Sequence, residues 1–362
     1  MNNIYSDNRT ILTLDAGGTN FVFNAIKGGK SLIAPIKKPA NGDQLELCLQ
    51  TMISGFEAVK SQIDEEAVAI SFAFPGPADY PNGIIGDLGN LPAFRGGVAL
   101  GPMLENHFGI PAFIQNDGDL YAYGEAIGGL LPEINDELAK NGSKKQYKNL
   151  IGLTLGTGFG AGLVHNNVLI GGDNSIVAEV WNIGNTITPE RNAEEGVSTR
   201  AIINAYNQVS GNNEALMPKD IFDIAEGVKD GDQNAALNAF NVFGKHLGDA
   251  AANLINLFDG IVVVGGGLTG ASKYYMPAVM EVLKGKFGNG QNRLVQKVYC
   301  LDNIDEKDAF YTVDSHQITV PFSDKTVAYS SEQKIAIATS KLDASEAIAI
   351  GAYAFALNML NK

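Results

Sequence analysis

The sequence is poor in cysteine, tryptophan and charge. Its 362 residues include 2 cysteines and 1 tryptophan, and 18% of them are charged. The cysteines, Cys48 and Cys300, lie far apart and form no C-x-x-C pair, which leaves no cysteine-based zinc site and indicates a reducing compartment. No apolar run approaches the 18 residues of a membrane span, and the N-terminal stretch lacks the apolar segment of a signal peptide. These absences predict a cytoplasmic protein with no membrane partner.

Basic residues are scarce relative to acidic ones. The chain has 26 Lys and Arg against 40 Asp and Glu, a formal net charge of −14. Such a surface repels the phosphate backbone, so nucleic acid is excluded as an expected partner. An anionic substrate would need a local device, such as a glycine-rich loop, a helix N-terminus or a metal ion.

Apolar residues and glycine are abundant instead. The chain is 45% hydrophobic and has 42 glycines, a globular composition that excludes disorder, collagen and coiled coil. Its length predicts two domains, each with its own core. Polar stretches at 132–148 and 302–331 are expected to be surface insertions, and helical periodicity is found at 43–63, 233–258 and 344–360.

One pattern occurs twice along the chain. Residues 10–15 alternate as a strand and enter the turn at 16–19, and a second strand and a hairpin turn follow. Residues 150–155 form a similar strand that enters the glycine run 156–162, again followed by a strand and a turn. The repetition predicts two copies of an α/β unit with the ligand in the cleft between them. Unrelated α/β domains share such patterns too, and strands alone do not separate the two interpretations.

The glycine turns are the candidate phosphate sites. A Walker A loop ending at Lys30 would need glycine at Asn24, and no Rossmann fingerprint follows the first strand. Glycines let backbone N–H groups approach phosphate oxygens, threonine hydroxyls add donors, and Asp15 can hold Mg²⁺ through water. Each loop alone is more typical of an ordinary hairpin, but together they favour a nucleotide clamp.

Two aspartates follow the strand at 112–115. A helix begins there, and one aspartate is expected to cap it, most naturally Asp119. Asp117 is then left unexplained. A carboxylate at a strand end can accept a hydroxyl proton in phosphoryl transfer, so Asp117 is a candidate base.

Glu179 lies among apolar residues. It is either an acceptor for a ligand or an outward-facing strand residue. Trp181, two residues later, is more typical of a core residue than of a sugar platform. The four histidines share no metal-ligand spacing.

The motifs together resemble the ROK family of sugar kinases and sugar-responsive repressors, within the actin and hexokinase-like superfamily. They occur in the family's order at residues 15–19, 74–79, 89–94, 115–117, 155–162, 178–179 and 264–267. The resemblance implies an α/β fold of duplicated actin or hexokinase-like (ribonuclease H-like) domains with a cleft between them. The expected domains are residues 1–118 with 344–362, and residues 119–343.

The resemblance also implies roles for particular residues. Asp117 matches the catalytic base. The implied nucleotide and phosphate contacts are Asp15, Gly17, Gly18, Thr19, Gly156, Thr157 and Gly158, with Gly265, Gly266 and Gly267 against the adenosine. The implied sugar contacts are Gly76, Asn90, Asn116, Asp117, Glu179 and Glu195, with Glu194 as the alternative to Glu195.

The sequence departs from the family pattern beside the sugar. Where the family usually has Glu-x-Gly-His, Asn182 replaces the histidine. The family's cysteine-rich zinc loop corresponds to residues 188–201, which contain no cysteine. The sequence therefore predicts an enzyme without zinc, and the identity of the sugar is the open question.

The predicted activity is phosphorylation of a hexose at the 6-hydroxyl by ATP with Mg²⁺, most simply as a glucokinase. The alternatives are a fructokinase, mannokinase or N-acetylhexosamine kinase, or a catalytically silent sugar-binding regulator. A DNA-binding repressor is disfavoured by the charge and by the 14 residues that precede Asp15. A homodimer is compatible with the family.

Overall fold

The computed structural model describes residues 4–89, 91–211, 215–313 and 315–362. The chain divides into two compact units. The first extends to Leu130 and includes Ala161–Ala178 and Lys341–Lys362, and the second comprises Leu131–Gly160 and Glu179–Ser340. In this division residues 119–130, 161–178 and 341–343 belong to the first unit, whereas the sequence-based domain bounds place them in the second.

Strands and helices alternate along the described chain. The strands are β1 (Thr10–Ala16), β2 (Asn20–Lys27), β3 (Lys30–Ser31), β4 (Ile36–Pro39), β5 (Ala67–Ala73), β6 (Ala78–Asp79), β7 (Ile84–Ile85), β8 (Val98–Ala99), β9 (Ala112–Gln115), β10 (Leu150–Leu155), β11 (Phe159–His165), β12 (Val168–Leu169), β13 (Ile261–Gly265), β14 (Lys297–Cys300), β15 (His316–Thr319), β16 (Thr326–Tyr329) and β17 (Lys334–Thr339). The helices are α1 (Leu45–Lys60), α2 (Leu100–Phe108), α3 (Asp117–Ile127), α4 (Leu130–Lys140), α5 (Thr199–Ser210), α6 (Pro218–Ala225), α7 (Gln233–Phe258), α8 (Ser272–Leu283), α9 (Ile304–Tyr311) and α10 (Ala344–Leu360).

A mixed sheet with helices on both faces forms the first unit. Its strand order is β3-β2-β1-β5-β9, with β4 also paired to β2. Strands β1 and β2 pair antiparallel, as expected for two strands joined by the turn at 16–19. The β1–β5 and β5–β9 pairs are parallel. Since β1 alternates, Leu14 faces the core that Phe56 of α1 and Leu104 of α2 complete.

The other face of this sheet is covered by α3 and α10, which cross at glycine. A Cβ atom built on Gly351 would lie 1.9 Å from the Leu120 carbonyl oxygen, and one on Gly124 would lie 1.9 Å from that of Ala347. Only glycine allows the two backbones to approach so closely. The start of α10 lies beside the carboxyl end of β1, because Ser345 bonds Asp15 there, and the candidate site lies at the same end of β1 and β5.

A parallel sheet forms the core of the second unit. Strand β13 pairs with β10 and β17, and β17 also pairs with β14, all in parallel. The predicted helix at 233–258 is α7, which begins after the capping side chain of Asp232 and ends at Asp259 in the left-handed region. The hairpin between β11 and β12 turns at Asn166 and Asn167, both with positive φ, as the sequence predicts.

Other local predictions are corrected or completed by the structure. The helix expected at 43–63 is α1, Leu45–Lys60; its N-cap residue is Gln44, which makes no side-chain cap bond. Cys48 and Cys300 are both buried as free thiols. Within the described ranges, no helix is long and apolar enough to cross a membrane.

Candidate active site

The carboxyl ends of β1, β5 and β9 meet at one edge of the first sheet. In their parallel registers Asp15 lies opposite Ala73, and Ala73 lies opposite Gln115. The turns that follow these strands therefore converge, which is where ligands bind in sheets of this kind. A pocket of about 260 Å³ lies there, and its lining includes Asp15, Gly17, Gly18, Phe74 and Asp117. The predicted base and the first phosphate loop thus share one pocket.

Asp15 is exposed at the end of β1 and has a fixed orientation. Ser345, in the first turn of α10, donates its hydroxyl to Asp15 Oδ2 at 3.1 Å. Thr19, the last residue of the predicted loop, is also exposed, and its carbonyl oxygen accepts from Ala40 N at 2.9 Å. A carboxylate held in this way presents oxygen ligands to a hydrated hard cation, which is the chemistry Mg²⁺ prefers.

Asp117 is the first residue of α3 and is exposed toward the pocket. The N-cap residue is Asn116, whose Oδ1 accepts from Gly118 N at 2.8 Å. The predicted capping role of Asp119 is therefore wrong: Asp119 lies inside the first turn and is buried. Gly118 N also donates to Asp117 Oδ1 at 2.9 Å, so the exposed Asp117 carboxylate has Oδ2 for another role.

Asn116 is also connected to the turn after β5. Its Nδ2 lies 3.5 Å from the hydroxyl oxygen of Tyr80, and that hydroxyl donates to the Phe74 carbonyl oxygen at 2.9 Å. Gly76, an exposed residue of the same turn, has its absent Cβ position 3.2 Å from the Tyr80 hydroxyl. Asn90, another predicted sugar contact, lies outside the described residues.

The second glycine loop connects β10 to β11 in the second unit. Gly156 N donates to the Gly158 carbonyl oxygen at 3.1 Å, and Thr199 N, at the start of α5, donates to the Gly156 carbonyl oxygen at 2.9 Å. Thr157, between the two glycines, is exposed. The loop is therefore a tight turn fixed to the N-terminus of α5.

The third glycine run begins where β13 ends. Gly265 is the last residue of that strand and is buried. Gly266 has φ +93° and packs on β10, because its Cβ position would lie 2.4 Å from the Leu155 carbonyl oxygen. The next residue, Gly267, is exposed.

Certain predicted site glycines have no packing reason to be glycine. A Cβ atom on Gly18, Gly156 or Gly267 would meet nothing within 4 Å, and none of the three has a left-handed φ. By contrast, Gly17 faces the Asn20 carbonyl oxygen at 2.9 Å. Open space beside a glycine in a predicted phosphate loop is what close approach of a ligand to the backbone requires.

Glu179 is exposed and directly precedes the short 3₁₀ helix Val180–Asn182. Trp181, in that helix, donates its indole N–H to Glu179 Oε2. The tryptophan is 40% exposed, so the prediction of a core residue is wrong. The bond orients the Glu179 carboxylate in the exposed position that a sugar contact needs.

Glu194 and Glu195 differ in what they contact. Glu194 Oε2 accepts from Phe159 N at 3.2 Å and also lies 2.7 Å from the Cβ position of Gly158. Glu195 pairs with Arg200 at 2.5 Å, and the same guanidinium lies 3.7 Å from Glu194 Oε1. Glu194 is thus the glutamate that contacts the second glycine loop; the sequence analysis prefers Glu195 as the sugar contact and keeps Glu194 as the alternative.

Metal ligands do not cluster in the described part of the chain. No group of three or more His, Cys, Asp or Glu side chains there is placed to hold a metal ion. A magnesium ion that keeps most of its waters does not need such a group, and Asp15 remains the residue predicted to hold it through water.

Sequence reasoning missed Ser345 and Tyr80. Ser345 is 330 residues from Asp15 along the chain, and a serine in the first turn of a helix carries no signal of its own. Tyr80 follows a Pro-Gly-Pro turn, but nothing in the sequence indicates that its hydroxyl returns to the Phe74 carbonyl oxygen.

Comparison with known proteins identifies the class. The ROK family matches residues 11–299, and the chain belongs to that family. The predicted family, the actin and hexokinase-like α/β fold and the predicted class of enzyme, a sugar kinase, are thereby confirmed.

Individual relatives carry names that specify a sugar. A crystal structure of a glucokinase from Parabacteroides distasonis is 50% identical and covers 99% of both chains, with a TM-score of 0.92. An N-acetyl-D-glucosamine kinase from Vibrio cholerae is 26% identical over 276 residues, 72% of this chain and 85% of that protein. A glucokinase from Thermotoga maritima is 24% identical over 298 residues, 75% of this chain and 86% of that protein.

Proposed function

We propose that the protein transfers the γ-phosphoryl group of ATP to the 6-hydroxyl of a hexose, and that the hexose is glucose. The observation that carries the proposal is the first-unit pocket, in which Asp117 and the glycine turn after Asp15 line one space of about 260 Å³. The 50% identity to a glucokinase over 99% of the chain supports glucose as the sugar.

Asp117 is the proposed base. Its carboxylate accepts the proton of the 6-hydroxyl as that oxygen forms a bond to the γ-phosphorus and the bond from phosphorus to the ADP oxygen breaks. The position suits the role, because Asn116 satisfies the N-terminal amide of α3 and Asp117 remains exposed. Asn116 itself, with Gly76 and Glu179, is a proposed sugar contact.

Phosphate charge needs compensation in a chain of net charge −14. The proposed phosphate contacts are the backbone amides of Gly17 to Thr19 and of Gly156 to Gly158, with Gly265 to Gly267 against the adenosine. Mg²⁺, held through water by Asp15, supplies the remaining positive charge when bound.

The sugar-side glutamate of the loop before α5 is proposed to be Glu194. Its carboxylate already lies on the second glycine loop, whereas Glu195 makes the shorter of the two ion pairs with Arg200, at 2.5 Å against 3.7 Å. Two substitutions, one at each glutamate, distinguish Glu194 from Glu195 as the sugar contact. Glu194→Gln is expected to raise the KM for sugar more than Glu195→Gln does, and the reverse order would restore Glu195.

The test of the function is a substrate panel. Glucose, fructose, mannose, N-acetylglucosamine and N-acetylmannosamine are each supplied with Mg-ATP, and ADP release is measured above the rate with ATP alone. Glucose is expected to give the highest kcat/KM. A higher kcat/KM for N-acetylglucosamine would instead indicate the activity named for the Vibrio cholerae relative. If no sugar stimulates ADP release, the result would favour a catalytically silent regulator.

A further inference from the structure

Helix α7 contacts the chain at Thr186 and at Gly196, on either side of residues 188–195, which are most of the stretch that corresponds to the cysteine-rich loop. Asp249 accepts the Thr186 hydroxyl at 2.5 Å. One turn earlier, His246 packs on Gly196, whose Cβ position would lie 2.3 Å from His246 Cγ. Residues three apart on a helix share a face. One face of α7 therefore holds the segment from Thr186 to Gly196, which contains Glu194 and Glu195.

The Asp249 carboxylate is fixed from its other side. Arg293 Nη2 donates to Asp249 Oδ1 at 2.5 Å, while Thr186 uses Oδ2. Arg293 stacks over the Phe287 ring at 5.0 Å, and its backbone carbonyl oxygen accepts from Asn256 at 3.0 Å. Asp249 is 5% exposed, so its charge is buried and paired, and this geometry is costly to disturb.

Hydrogen bonds connect the parts of the segment between its contacts with α7. The buried Asn185 accepts from Thr188 N at 2.9 Å and donates to the Asn192 carbonyl oxygen at 3.3 Å. Asn192 in turn caps the 3₁₀ helix Ala193–Glu195, accepting from Glu195 N at 3.3 Å. A displacement of Thr186 is thus transmitted through Asn185 and Asn192 to the two glutamates.

We infer that Asp249 is a positioning residue for the sugar site: through Thr186 it fixes the loop that carries Glu194 to the second glycine loop. The inference rests on the proposed function for the role of Glu194. It assigns to a buried carboxylate and a hydroxyl the anchoring that this cysteine-free loop cannot obtain from thiolates.

The anchor is best tested at Thr186. This residue is exposed, so Thr186→Val removes the hydroxyl and leaves the Asp249–Arg293 pair intact. Thr186→Ser is the matched control, since it keeps the hydroxyl. Thr186→Val is expected to raise the KM for hexose about five- to tenfold, the scale of one ordinary hydrogen bond, with the KM for ATP within about twofold. Thr186→Ser is expected to resemble the unaltered enzyme.

A second readout does not depend on activity. Arg191 is exposed within the loop, and trypsin cleaves after it if the loop loosens. Cleavage after Arg191 is expected to be faster in Thr186→Val than in the unaltered protein or in Thr186→Ser.

Equal cleavage rates, or an unchanged KM for hexose in Thr186→Val, would overturn the inference. A merely structural role would instead lower the melting temperature and the active fraction without raising the KM for hexose alone. If the unaltered enzyme shows no sugar-stimulated ADP release, the proposed function fails, and cleavage after Arg191 still decides whether Thr186 holds the loop.

Discussion

Gly266 lies directly against the backbone of Leu155. A Cβ atom on Gly266 would stand 2.4 Å from the Leu155 carbonyl oxygen, and the same oxygen accepts from Leu268 N at 3.3 Å. A backbone oxygen cannot move aside as a flexible side chain can. The turn after β13 can therefore pack this closely on the end of β10 only because residue 266 has no side chain.

Gly266→Ala is therefore expected to lower the free energy of unfolding by about 2 kcal/mol or more, from the clash and from the φ of +93°. Gly270→Ala is the matched control, since its Cβ would meet nothing within 4 Å. Denaturant unfolding of both variants checks this. Equal stability of the two would show that the turn can shift without cost.

Gly18, unlike Gly266, has open space where a side chain would lie. Its Cβ position is open, so Gly18→Ala is expected to leave the melting temperature unchanged. If ATP phosphates approach this backbone, the added methyl group raises the KM for ATP about tenfold or more. Gly288→Ala, also in open space and outside the site, is the control for both measurements. An unchanged KM for ATP would remove Gly18 from the phosphate loop.

Local patterns predicted the helices that carry clear signals. The periodicity of residues 233–258 agrees with α7 to the residue, because Asp232 caps it and Asp259 adopts the left-handed conformation that ends it. The start of α3 was less determined, since Asn116, Asp117 and Asp119 are all capping residue types. In the structure Asn116 is the N-cap residue, and the residue types alone do not distinguish it from the two aspartates.

Contacts between distant residues could not be predicted. Asp249 and Thr186 are 63 residues apart, and neither belongs to a motif. The different contacts of Glu194 and Glu195 could not be predicted either, because consecutive residues of a 3₁₀ turn point in different directions. Trp181 was assigned to the core by residue type, but its bond to Glu179 keeps it near the surface.

Glu332 makes the stability sensitive to acid. Lys297 Nζ at 2.7 Å, with Lys334 at 3.0 Å and the Tyr299 hydroxyl at 3.1 Å, lowers the pKa of the Glu332 carboxyl to about 2 from 4.5. A lowered folded-state pKa contributes stability above the unfolded value, which is lost as pH falls from about 4.5 toward 2.

The Glu332→Gln variant is therefore expected to be less stable than the unaltered protein near neutral pH, by a margin that shrinks as pH falls below about 4.5. Melting temperatures between about pH 6 and pH 3 measure the margin. Glu66→Gln, at an exposed position, controls for the change of net charge. A margin independent of pH would contradict the assignment.

Activity is expected not to require zinc. Residues 188–201 offer neither cysteine nor histidine, and a structural zinc needs about four ligands, usually thiolates and imidazoles. After treatment with a strong chelator and return of Mg²⁺, activity and melting temperature are expected to be unchanged. Stoichiometric zinc by metal analysis, or activity restored by zinc alone, would contradict this prediction.

Asp117 is the most direct test of the chemistry. Asp117→Asn keeps an oxygen that can accept from Gly118 N, as Asp117 Oδ1 does at 2.9 Å, so α3 is expected to begin unchanged. Loss of the base is expected to lower kcat by about 10²–10⁴, with the KM for hexose within a few-fold.

Two further aspartates make that result interpretable. Asp64→Asn, at an exposed position between α1 and β5, is expected to leave kcat and stability unchanged. Asp119 is buried in the first turn of α3, so Asp119→Asn is expected to lower the melting temperature while the folded fraction keeps its kcat. These differences follow from position, since the chemical change is the same in all three variants. If Asp119→Asn abolishes kcat in fully folded enzyme and Asp117→Asn does not, the base is Asp119 and the proton of the 6-hydroxyl leaves by a different route.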